Sequence, residues 1–172
     1  MKIIFILAVV LVVVAVIFSG YMGAFDPVVI TEVNQAPVTL VYREMTGTDM
    51  KQVAEVATAV KTVLTGMPLT RMTPFDVFYP DGQAQVGFAV QGASALTLSR
   101  LSKANAAKIR VIPAQRCMKA MIRWRNSLSY LLGKLKLVPA LAAYRAAHGY
   151  KEAENYALDG KWNIVYLQPI AQ

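Results

Sequence analysis

The 172-residue chain has one cysteine, one histidine and, between Asp81 and Glu152, no acidic residue. Each shortage excludes something. A single cysteine, Cys117, cannot close an intramolecular disulfide. No histidine-based constellation accompanies it, so Cys117 reads as a small buried strand residue and not as a nucleophile. A single histidine, His148, argues against a histidine triad and against a multi-histidine metal site, and no cofactor is called for. His148 falls at the end of a helical pattern, where the helix dipole favours it. The acid-free interval holds twelve basic residues: Arg100, Lys103, Lys108, Arg110, Arg116, Lys119, Arg123, Arg125, Lys134, Lys136, Arg145 and Lys151. The chain as a whole carries a formal charge of +8.

Charge is also missing from the start of the chain. From Ile3 to Phe25, 23 residues carry none, and the run IIFILAVVLVVVAVIF is unbroken apolar sequence. That is enough to cross roughly 30 Å of hydrocarbon. A cleaved signal peptide is the rival reading. Its apolar region would be shorter, and no A-x-A-like site is present, since Met22 stands two residues before Ala24. Residues 1–25 are therefore read as an N-terminal transmembrane anchor, 26–37 as a linker or lead-in strand, and 38–172 as one folded domain. Lys2 and the amino terminus flank one side, whereas Asp26 and Glu32 follow on the other. The positive-inside rule then places the N-terminus in the cytoplasm and the domain outside it, on the periplasmic side of the inner membrane if the cell is Gram-negative.

The domain itself shows a doubled pattern. VTLVYREM (38–45) alternates as a strand, and Thr48 is a candidate N-cap for a helix with Val53, Val56, Ala57, Val60, Val63 and Leu64 on one face. Gly66 ends that helix. PFDVFY (74–79) and QVGFAVQ (85–91) make a hairpin across Pro80-Asp81-Gly82. Residues 92–107 read as a surface excursion with a short helix near 95–101. Strands follow at 108–112 and 115–124, separated by Pro113-Ala114. Asn126 or Ser127 caps a second helix whose apolar face is read as Leu128, Leu131, Leu132, Leu135 and Val138. Pro139 is expected to kink or split it, and Gly149 to close it. Strands at 150–158 and 162–169 then flank Asp159-Gly160. The expectation is an α+β fold: a tandem strand-helix-strand-strand repeat forming an antiparallel sheet with helices on one side, plus the N-terminal transmembrane helix. The seam between repeats is a natural place for a pocket.

With those strings in that order, residues 38–170 resemble the GyrI-like small-molecule-binding family, also called the transcription-activator effector-binding domain. TLVYREMTG looks like its opening strand and turn, and VFYPDG like its tyrosine-bearing hairpin strand. IPAQRC, RWRNSLSYLLGKLKLVPALAAYRAAHGY, ENY and IVYLQPI look like a membrane-anchored branch, similar to the one of a testis-expressed receptor for selective autophagy of the endoplasmic reticulum. The sequence departs from both kinds of relative. No helix-turn-helix precedes the domain and no long polar tail follows it, so neither the transcription-factor role nor the autophagy role is carried over.

The resemblance implies a pocket glutamate in an E-x-Y context, here Glu154 and Tyr156. The chemistry stands by itself. A carboxylate in an aromatic-lined cavity attracts a delocalised cation, and ring faces add cation–π attraction. Tyr42, Phe78, Tyr79 and Trp124 join Tyr156 as candidate walls. The bland alternative is a solvated face carrying Glu152, Glu154 and Tyr156. The expected role is binding of a lipophilic small molecule, cations included, without catalysis. The alternatives are a tethered scaffold with a degenerate pocket, or a hydrolase using Glu154 as base and Tyr79 or Tyr156 as proton donor. Lys119, Arg123 and Arg125 share a strand face by alternation. They suit a solvated surface or anionic lipid headgroups. Nucleic acid is not expected as a partner, since the domain is placed away from the cytoplasm and carries no reading motif.

Overall fold

The computed structural model describes residues 2–171 apart from 48, 95, 96, 100, 102–106 and 161. In chain order the elements are α1 (Lys2–Tyr21), β1 (Thr31–Gln35), β2 (Val38–Thr46), α2 (Met50–Leu64), β3 (Arg71–Phe78) and β4 (Gln83–Gln91). Then come β5 (Lys108–Ile112), β6 (Gln115–Arg123), α3 (Leu128–Ala147), β7 (Asn155–Asp159) and β8 (Asn163–Pro169). The α+β architecture is the one expected: β2-α2-β3-β4 is followed by β6-α3-β7-β8. All eight strands form one antiparallel sheet in the order β1-β6-β8-β7-β3-β4-β2-β5. The two repeats meet at the β3–β7 seam, where Val77 lies opposite Tyr156.

Two short links decide the shape of this sheet. Each repeat lends its leading strand to the other: β1 pairs with β6, and β5 pairs with β2. The links to β2 and β6 are Ala36-Pro37 and Pro113-Ala114. A link of two residues spans only about 7 Å. Opposite ends of the eight-strand order must therefore lie side by side, so the sheet curls into a half-barrel. Of the two readings of residues 26–37, the lead-in strand is what forms, as edge strand β1.

The curl has a packed interior. Leu40, Tyr42, Phe75, Val77, Ile112, Cys117, Tyr156 and Leu167 are buried together there. Cys117 is fully buried, and burial pushes its thiol up to about 11, as suits a packing residue. Both helices sit on the outer face. There α2 covers Val41, Phe88 and Val90, while α3 covers Met118, Ala120, Ile122, Ile164 and Tyr166. These two outer cores are separate, and the seam runs between them.

Local chemistry sets the helix ends. Asp49 caps α2, its carboxylate accepting from Lys51 N at 3.0 Å. Thr48, the expected cap, lies outside the described residues. The Asn126 carboxamide oxygen accepts from Leu128 N at 2.9 Å at the start of α3. At its end, Tyr150 N donates to Arg145 O, and Gly149 adopts φ +68°. His148 stacks between Tyr144 and Tyr150, with ring centroids 4.0 and 5.6 Å away.

Several expectations are corrected. The helix is not split at Pro139; α3 runs unbroken through it. Proline lacks the N–H that would bond the Leu135 carbonyl, and Leu135 lies on the exposed side of the helix. Leu128, Leu131 and Leu135, read as core-facing, point away from the sheet. The buried residues of α3 are Ser129, Gly133, Leu137 and Leu141. A Cβ at Gly133 would come within 2.9 Å of the Tyr166 ring, so only glycine allows this close approach. The stretch 92–107 is not wholly a surface excursion, because Leu101 is buried against Val60, Leu64 and Phe88. The penultimate strand is shorter than expected and starts just after Glu154.

Candidate functional site

Between α2 and α3, over the β3–β7 seam, the outer face holds a cavity of about 590 Å³. Its walls are mostly apolar. Val53 and Ala57 come from α2, Leu131 and Val138 from α3, and Phe78, Ala157 and Tyr166 from the strands. Strand alternation puts one carboxylate in its floor. Phe75 and Val77 point into the curled interior, so Asp76 between them points outward into the cavity. Asp76 accepts a hydrogen bond from Gly87 N at 3.2 Å. Burial pushes its pKa up to about 7; the Gly87 bond opposes the rise, and the like charge of Asp159 adds to it. Asp159 also lines the cavity. Two lining phenols are pushed up as well: Tyr130 by burial and then Asp159, and Tyr166 to about 12 by burial and then Asp76. The space suits a drug-sized molecule. A bound cation would favour the ionised form of Asp76.

The interior of the curl holds a second polar group. Arg110 on β5 forks onto Glu154, with Nη2 donating to Oε1 at 2.7 Å and Nη1 to Oε2 at 3.3 Å. Arg110 Nη1 also donates to the Tyr79 hydroxyl and to Gln85 Oε1. Tyr156 donates its hydroxyl to Glu154 Oε1 at 2.5 Å and accepts from Gln115 Nε2 at 2.9 Å. Burial pushes the Tyr156 phenol above its ordinary range, and its bond to Glu154 adds to this. Glu154 therefore looks inward, toward a guanidinium and a packed core.

The expected site residues divide between these places. Phe78 lines the cavity, while Tyr79 borders it but packs against the interior core and accepts a hydrogen bond from Arg110 at its hydroxyl. Trp124 stands behind it, edge-on to Tyr130 with centroids 5.5 Å apart. Tyr42 and Tyr156 are buried in the interior core on the other face, with Glu154 beside them. Lys119 and Arg123 do share a face of β6, opposite the one covered by α3. Arg125 does not join them. The strand ends at Arg123, and the Arg125 guanidinium lies 4.2 Å from the centre of the Tyr21 ring. Arg100 and Lys103 of the basic interval lie outside the described residues.

Sequence reasoning missed Asp76, Asp159, Tyr130 and Tyr166 in the cavity and Arg110 in the interior. Asp76 did carry a signal: it is the only charged residue in the apolar strand PFDVFY. Arg110 carried none, because its partner lies 44 residues away.

No family model matches the sequence, and no curated protein matches it. Solved structures do. The C-terminal domain of EcmrR superposes with a TM-score of 0.61 at 11% identity, covering 84% of this chain and 98% of that one. In a complex of EcmrR with DNA, the match spans 58% of the EcmrR chain. SAV2435 bound to tetraphenylphosphonium matches at 0.54 and 13% identity, over 83% of this chain and 93% of that one. A hydrolase from Listeria innocua matches at 0.52 and 10% identity, over 90% and 98%. At these identities the likeness is one of fold, and it agrees with the GyrI-like architecture that the sequence resembles.

Proposed function

We propose that this chain is a membrane-anchored, non-enzymatic binding domain that holds a lipophilic molecule, cations included, in the cavity between α2 and α3. One observation carries the reading: a half-buried carboxyl, Asp76, sits in the floor of a 590 Å³ apolar cavity among aromatic rings. That is the arrangement expected around Glu154, found instead around another acid on the other face of the sheet. The tetraphenylphosphonium bound to SAV2435 supports this class of ligand. The anchor is α1, a 20-residue apolar helix with no residue buried in the domain. The orientation follows the charge bias: N-terminus cytoplasmic and domain outside, with nucleic acid not a partner.

Binding is favoured over hydrolysis by the state of Glu154. Arg110 engages both of its oxygens, and Tyr156 is 1% exposed, which suits an internal ion pair better than a general base and its proton donor. The test is a titration of the full-length chain in detergent with tetraphenylphosphonium, read as a thermal shift. Asp76→Asn should weaken binding about tenfold or more, equal to at least ~1.4 kcal/mol. Glu154→Gln should leave affinity nearly unchanged. Equal affinities for wild type and Asp76→Asn would remove the carboxylate mechanism.

A further inference from the structure

The leucine face of α3 is the largest departure from sequence expectation, and it needs a partner. Leu128, Leu131 and Leu135 are 48, 50 and 67% exposed. Their spacing of three and four residues places them on one stripe, across the helix from Ser129, Gly133 and Leu137. So α3 is apolar on two opposite faces, and the sheet covers only one. A helix apolar on both faces is normally covered on both.

The occupant follows from what is attached beside it. The end of α1 is held against α3 by several contacts. Lys136 Nζ donates to the carbonyls of Gly23 at 2.7 Å, of Ala24 at 2.9 Å and of Asp26. Met22 is buried, and Asn126 Nδ2 reaches its sulfur at 3.6 Å. Arg125 covers the Tyr21 ring. The place where α1 meets the domain is therefore the flank of α3. Phe25, 70% exposed, adds an aromatic there. Two cavity-lining residues, Leu131 and Met50 at the start of α2, are each about half exposed, so they form the cavity's rim.

We infer that α3 lies on the bilayer surface with Leu128, Leu131 and Leu135 in the headgroup–acyl boundary, so that the cavity opens toward lipid at Leu131 and Met50. A lipophilic ligand then enters from the membrane and not from water. This rests on reading α1 as a membrane span. It also assigns a membrane face other than the Lys119 and Arg123 strand face, because α3 packs on the opposite side of β6. An apolar stripe of this kind, beside the point where a membrane span joins the domain, suits such a boundary.

The experiment uses the full-length chain in vesicles of phosphatidylcholine and phosphatidylglycerol. Cys117→Ala removes the native thiol, and single nitroxides are attached through Leu128→Cys, Leu131→Cys and Leu135→Cys. Val10→Cys reports the span, and Met121→Cys, half exposed on the Lys119 face, reports the rival surface. Thermal unfolding of each variant confirms the fold. The expected result is an oxygen-to-nickel collision ratio several-fold higher at the three leucine positions than at Met121, with Val10 deepest. A deep Val10 with aqueous leucines would overturn the inference and leave the tether standing. An aqueous Val10 would overturn both. Lipid exposure at Met121 in place of the leucines would assign the strand face. Dipolar broadening between chains labelled at Leu131 would mean that a second copy covers the stripe, which also overturns it.

Discussion

Asp76 lies in β3 and Glu154 just before the adjacent strand β7, and their side chains turn to opposite faces of the sheet. Glu154 meets the Arg110 guanidinium, a tyrosine hydroxyl and a packed core. Asp76 meets one backbone N–H, a like charge and a cavity. In the first setting the charge is matched within the fold, and the ion pair ties β5 to the start of β7. In the second, burial holds the carboxyl's pKa high, and an outside cation would relieve that penalty. The lesson is that a carboxylate becomes a binding group through what the fold leaves unmatched, not through its sequence context alone. An acid in an E-x-Y string can serve structure, while an unremarked acid in an apolar strand is left for a ligand.

The comparison can be broken most severely from the interior side. Arg110→Ala leaves Glu154, with a side chain 17% exposed, facing an apolar core without its cation. Loss of about 3 kcal/mol is expected in denaturant unfolding, because removing one partner strands the other. Arg110→Met combined with Glu154→Gln should recover part of it. A loss below about 0.5 kcal/mol would mean that the pair is solvated and the contrast is empty.

The cavity side is tested next, by pH. The folded pKa of Asp76, about 7, lies above its ordinary value of 3.8. Between those values the folded state holds a proton that the unfolded state has released, so stability falls as pH rises from about 4 to about 7. Asp76→Asn should flatten that slope and raise stability at pH 8 by on the order of 2 kcal/mol. Cation affinity should move the opposite way in wild type, strengthening as Asp76 ionises. An unchanged slope in Asp76→Asn, followed by calorimetry across pH, would show that another group titrates.

The smallest effect sharpens the contrast without touching either carboxylate. Gly133→Ala improves helix propensity by about 1 kcal/mol, but its Cβ meets the Tyr166 ring at 2.9 Å. The two should nearly cancel in stability, while the displaced Tyr166, a cavity residue, should weaken tetraphenylphosphonium binding. Affinity equal to wild type would mean that the ring has no role in the cavity.

Much of this was legible in the sequence, for stated reasons. Period-two and period-3.6 patterns, with Gly66, Gly149 and the Pro80-Asp81-Gly82 turn, located the strands and helices close to where they lie. The doubled order pointed to the seam as the place for a pocket. What failed shares one cause. The inward face of α3 depends on Ser129 and Gly133, which add nothing to a hydrophobic pattern. The larger leucines dominated that pattern and pointed the wrong way. Likewise, alternation near Glu154 placed it with Tyr156 but could not reveal Arg110, brought in by β5 from another part of the chain.

The sequence by itself determined the uncharged span of α1, the repeated α+β pattern and the excess of positive charge, because these follow from composition and local periodicity. Only the tertiary structure decided that the sheet curls, since that follows from strand exchange across the Ala36-Pro37 and Pro113-Ala114 links. The curl fills the interior around Tyr156 and turns Glu154 onto Arg110. It leaves the two outer cores apart, with Asp76 between them. Which acid is spent and which is left depends on long-range proximity, and no local pattern encodes that.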